Sequence, residues 1–99
     1  MTLYNFTCTG IYGNGYKFTA SMSDNVTSMF DEDVKSIADY LFKAFNHVEV
    51  ENAETGEIVY DRYENSDIFV AEAFNYNTIS DVISEIGLDN VYKYEVTVR

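Results

Sequence analysis

Residues 3–9 alternate in polarity, with Tyr4, Phe6 and Cys8 facing one way and Asn5, Thr7 and Thr9 the other. That is the period of a half-buried strand. Gly10–Gly15 follows, and Asn14-Gly15 is a hairpin turn signal. Tyr16, Phe18, Ala20 and Met22 then alternate with Lys17, Thr19 and Ser21. The two segments predict an N-terminal hairpin. Residues 23–30 read as a polar link. Asp31 is a candidate N-cap, with Glu32 and Asp33 in a first turn that favours negative charge. Val34, Ile37, Ala38, Leu41, Phe42 and Phe45 recur at helical spacing, which predicts a helix over 31–46. Its outer face carries Lys35, Asp39 and Lys43 at i, i+4 steps.

Val48 and Val50 alternate with Glu49 and Glu51, and residues 52–56 form a turn in which Gly56 suits a positive φ. Residues 57–63 return as a strand, making a second hairpin. Residues 67–74 suit a strand buried on both faces, since Ile68, Phe69 and Val70 cluster at its start, with a short helix capped by Ser66 as the alternative. A second helix opens at Asn77 or Thr78 on the stripe Ile79, Val82, Ile83 and Ile86. Gly87 is placed as its C′ residue, with Leu88 as the hydrophobic contact of a Schellman motif. The last strand, 91–98, sets Tyr92, Tyr94, Val96 and Val98 against Lys93, Glu95 and Thr97.

The expected order is therefore ββ-α-βββ-α-β in a single α+β domain spanning 1–99. Hairpins dominate, so the sheet of five to six strands is expected to be mostly antiparallel, with the two helices covering one face. A chain of 99 residues supports one core and a thin stability margin.

Charge changes this picture most. Seventeen acids against six bases give a net charge of −11. A disordered acidic tail lacks aromatics, whereas this chain has nine Tyr and seven Phe, so a folded surface carries the charge. Direct nucleic-acid binding requires a basic surface, and anionic membranes repel an acidic one. A basic partner is favoured. No apolar stretch approaches the ~20 residues of a membrane helix. The N-terminus lacks the basic and apolar regions of a signal peptide. Cys8 is the only cysteine, which fits a reducing compartment, and the cytoplasm is the expected location. The absence of Pro and Trp and the wealth of Asn, Tyr, Ile and Phe match AT-rich codon usage, as in a low-GC bacterium or its phages and mobile elements.

Few residues suggest catalysis. His47 is the only histidine and reads as a helix-end residue and Cys8 as a buried small thiol, with a triad or dyad through the two as the catalytic alternative. One His and one Cys make no structural zinc site. Gly10, Gly13 and Gly15 reverse the G-x-G-x-x-G order and precede a strand, so they mark a hairpin turn and not a dinucleotide site. Asp31-Glu32-Asp33 lacks the ligand spacing of a calcium loop. No enzyme, cofactor or metal is expected.

The acidic stretch is different. Glu49, Glu51, Glu54, Glu57, Asp61, Glu64, Asp67 and Glu72 recur every two to five residues against the single base Arg62. Residues i and i+2 of a strand lie about 6.6–6.8 Å apart on one face, comparable with phosphate spacing along a nucleic-acid strand. Lys and Arg that grip phosphate accept carboxylate through the same charge-assisted bonds. An ordinary solvated face mixes signs, and like charges across a sheet destabilise it. Tyr60 and Tyr63 lie within the stretch as candidate anchors, since Tyr gives contact area at low entropy cost.

The expected function is an acidic inhibitor that blocks a basic nucleic-acid-binding protein of a host by mimicry, analogous in charge and size to anti-CRISPR and anti-restriction proteins. Its expected binding residues are Glu49, Glu51, Glu54, Glu57, Tyr60, Asp61, Tyr63 and Glu64. The alternative is a small assembly module that self-associates through the edge strand 91–98.

Overall fold

The computed structural model describes residues 2–10, 13, 15–22, 27–63 and 76–97, with side chains from Val34 onward in the first helix and from Thr78 in the second. The elements are β1 (Thr2–Thr9), β2 (Gly15–Met22), α1 (Thr27–Leu41), β3 (His47–Asn52), β4 (Ile58–Tyr63), α2 (Tyr76–Ile86) and β5 (Val91–Thr97), with one 3-10 turn at Leu88–Asn90. The strands form one sheet in the order β4-β3-β1-β2-β5, and every pairing is antiparallel. This is the expected α+β arrangement. The strand expected at 67–74 lies outside the described residues.

Register turns the alternation of each strand into two continuous surfaces. Tyr60, Val50, Phe6, Phe18 and Tyr94 line up across all five strands, and so do Arg62, Val48, Cys8, Tyr16 and Val96. These rows face the helices. Phe6 and Phe18 stack at 4.6 Å between ring centroids with an interplanar angle of 3°, and Phe6 is fully buried. Val34, Ala38 and Leu41 of α1, Phe45, and Ile79 and Val82 of α2 complete the same core. The intervening rows face away from the helices. One runs Asp61, Glu49, Thr7, Lys17, Glu95, and another Glu51, Asn5, Thr19, Lys93.

Three local expectations are corrected. Helix α1 starts at Thr27 and not at Asp31, so the Asp31-Glu32-Asp33 run lies within the helix and leaves no acid in its first turn. It also ends at Leu41, earlier than 46. There the bonds tighten, Lys43 N–H donating to Tyr40 O at 3.2 Å and Ala44 N–H to Leu41 O at 3.0 Å. The tightened turn still delivers Phe45 to the core, which is why its helical spacing misled. In the first hairpin the positive φ belongs to Gly13. Gly15 already pairs with Thr9, and a Cβ there would approach Cys8 O to 3.0 Å. At the end of α2, Gly87 adopts φ 99°, ψ 129°, which is not the left-handed helical conformation a Schellman cap needs. Leu88 accordingly stays 77% exposed. Gly56 has the expected positive φ, 78°.

Truncating the ring at the centre of the sheet should be among the most damaging single changes. Phe6→Ala is expected to cost about 3–5 kcal/mol, a large share of a small domain's margin. Leu88→Ala should shift stability by less than about 0.5 kcal/mol. Urea denaturation of both variants checks the contrast, and equal losses would show that the core is not centred on β1 and β2.

Candidate functional site

The rows facing away from the helices collect carboxylates at the β3–β4 end of the sheet. Period two on β3 sends Val48 and Val50 inward and therefore His47, Glu49 and Glu51 outward. Across from them β4 presents Asp61 opposite Glu49 and Tyr63 opposite His47. His47 Nε2 and Asp61 Oδ1 lie 2.8 Å apart, and the Tyr63 ring meets the His47 ring edge-on at 5.6 Å. Glu51 accepts from Asn5 Nδ2 at 3.1 Å, and Asn5 Oδ1 accepts from Thr19 Oγ1 at 2.7 Å. This chain of bonds holds one carboxylate in place from β2 through β1 to β3. Glu49 has no hydrogen bond or ion pair among the described residues, although it lies directly opposite another acid.

The turn between β3 and β4 extends the acidic surface. Asn52 Oδ1 accepts from the N–H groups of Glu54 and Thr55 at 2.9 and 3.2 Å, an Asx turn of the kind Asn favours. Gly56 N–H closes it onto Asn52 O at 2.8 Å. Glu54 and Glu57 stand exposed on this rigid loop. Of the eight residues expected to form the binding surface, Glu49, Glu51, Asp61 and Tyr63 thus share one face, and Glu54 and Glu57 occupy the adjoining turn. Glu64 lies outside the described residues.

Tyr60 does not join them. It is 9% exposed and points to the helix side, where its hydroxyl donates to Asp39 Oδ1 at 2.6 Å. Burial, reinforced by the Asp39 carboxylate, pushes its phenol pKa up. Arg62 points the same way. Its guanidinium donates to Asp39 at 3.2 Å and lies 4.5 Å from the centroid of the Phe42 ring. Asp39, read from spacing as an i, i+4 partner of Lys35 and Lys43, is therefore engaged with β4. The one base in the acidic stretch is withdrawn to the opposite side of the sheet, leaving the open face of β3 and β4 without Lys or Arg. The lysines of that face, Lys17 and Lys93, sit on β2 and β5 at its other end.

The candidate chemistry resolves in the same way. Cys8 is buried on the helix side and burial pushes its thiol pKa far up, while His47 lies on the open face. The two are on opposite sides of the sheet and form no dyad. His47, Glu49 and Asp61 do bring one ring nitrogen and two carboxylates within 4.8 Å of one another. One imidazole with two carboxylates suits a borderline or hard divalent cation. The His47–Asp61 contact engages two of those donors directly. Among the described residues no helix is long and apolar enough to cross a membrane.

The facing acids Glu49 and Asp61 should cost folding stability. Glu49→Gln is expected to raise it by about 0.2–1 kcal/mol at low salt, with the gain shrinking as salt screens the pair. Thermal melts at two salt concentrations measure this, and a destabilised variant would show that Glu49 has a structural duty instead. No family model, no curated protein and no solved structure matches this chain.

Proposed function

We propose that this chain is an acidic inhibitor that binds a basic nucleic-acid-binding protein and blocks it by presenting carboxylates where phosphates would sit. The observation that carries this reading is the segregation of charge across the sheet. Glu49, Glu51 and Asp61 share an open face that Arg62 has left, and Glu54 and Glu57 continue it at the hairpin end. Like charges on facing positions oppose folding, and a cost without structural return marks a functional surface.

The geometry suits the role. Glu49 and Glu51, two residues apart on β3, rise from the strand at backbone positions about 6.6–6.8 Å apart, with Asp61 on β4 opposite Glu49. Backbone hydrogen bonding holds the strands that carry the array, so binding has only side chains to order. The bonds that orient Glu51 through Asn5 and Thr19 serve the same end. Tyr63, 60% exposed beside His47, supplies an amphipathic contact at the margin. Tyr60, expected as a second anchor, has no part in the surface. An array of this kind attracts a positive cleft at long range, giving fast association that falls steeply with salt. Its biological class would be that of anti-CRISPR or anti-restriction proteins from a phage or mobile element, acting in the host cytoplasm.

Affinity capture from host lysate at low salt should recover a nucleic-acid-binding protein, and raising the salt should release it. The triple variant Glu51→Lys, Glu54→Lys, Glu57→Lys should weaken that interaction about tenfold or more while keeping its circular dichroism. Retained binding by the folded triple variant, or capture of no nucleic-acid-binding protein, would sink the reading.

A further inference from the structure

β5 closes the sheet at the end opposite β4, and among the described residues only one of its edges is paired. Such an edge is a template for another strand unless it is guarded. Its outward surfaces differ by face. On the helix side Tyr94 and Val96 are 70% and 36% exposed and rim an apolar hollow of about 280 Å³ with Ile79 and Ile83 of α2. On the open side Lys93 and Glu95 stand two residues apart.

We propose that a second copy of this chain docks on β5 by antiparallel strand pairing about a two-fold axis through Tyr94. In that register Lys93 of each copy faces Glu95 of the other, twice over, on the open side. On the helix side Tyr94 faces its own counterpart, while the bulge opposite Thr19 and Ala20 takes Tyr92 out of that row, its hydroxyl lying 3.2 Å from Ser21 Oγ. Charge selects this axis. Moving it to Lys93 sets two lysines face to face, and moving it to Glu95 does the same with two glutamates, arrangements that destabilise a sheet. The segment is thus self-complementary in one register, as a two-fold interface requires.

Net charge does not forbid the pairing, because Glu95 meets a lysine there and the acids of β3 and β4 are far from the axis. Within one copy the acidic strands β3 and β4 lie at the other end of the sheet from β5. In a continuous ten-stranded sheet the two β4 strands would be about 43 Å apart at ordinary strand spacing. That is several times the Debye length of about 10 Å at 0.1 M salt. Both acidic faces stay open, so the dimer would be bivalent.

Sedimentation over a concentration series tests the proposal. The wild-type chain should reach twice the monomer mass. Lys93→Glu and Glu95→Lys should each weaken dimerisation about tenfold, and the double exchange Lys93→Glu/Glu95→Lys should restore most of it, since the charges again oppose. Glu95 also faces Lys17 within the chain, so circular dichroism is followed for each variant. Hydrogen exchange of β5 amides in the wild type, expected to slow with concentration, gives a readout free of substitutions. A strict monomer at millimolar concentration would overturn the proposal and make Lys93 a guard of the edge. A dimer indifferent to the single changes, or not restored by the double exchange, would overturn the register.

Discussion

The stacked rings of Phe6 and Phe18 hold the two central strands in one register, and the arrangement of every other surface follows from it. β3 is paired to β1 and β5 to β2, so the inward positions of both are set by where those rings sit. A slip of one residue would exchange the faces of a strand. On β3 it would bury Glu49 and Glu51 under α1 and expose Val48 and Val50. Burying carboxylates without partners is far costlier than repulsion between exposed ones. The hydrophobic core therefore enforces the crowding of acids on the open face, and the fold tolerates it because water and salt screen that face.

The same logic explains why one base does not neutralise the acids around it. Arg62 and Tyr60 share a parity on β4 that points them at α1, where Asp39 receives both. Asp39 thereby ties the edge strand β4 to the helix layer, and the guanidinium covers the Phe42 ring. The cluster joins two elements that the chain separates by β3, and it removes positive charge from the face where mimicry of phosphate would need none.

Much of this was legible in the sequence, for identifiable reasons. β1, β2 and β3 have period-two alternation, and Gly56 marks its turn by the positive φ that favours glycine there. The ends of α1 were not legible, because Phe45 keeps helical spacing after the helix has tightened and turned, and because acids inside a helix resemble acids at its start. The cap after α2 failed because Gly87 takes a positive φ with an extended ψ, which residue type does not reveal. At the site, the acid row on 49–61 was visible as composition. Its division between faces was half visible: alternation alone puts Tyr60 and Arg62 opposite Asp61 and Tyr63, a signal outweighed by proximity in sequence. The irregular register between Val50 and Glu51 hid which of those faces would be the covered one. The role of Asp39 carries no sequence signal, since its partners lie more than twenty residues away on another element.

Binding a basic protein and imitating nucleic acid are separable properties, and competition separates them most directly. A captured basic partner would be loaded with a fluorescently labelled duplex, and this chain titrated in while anisotropy is followed at several salt concentrations. Mimicry predicts stoichiometric release of the duplex, with an apparent affinity that falls steeply as salt rises. A ternary complex in which the chain binds and the duplex stays in place would contradict it.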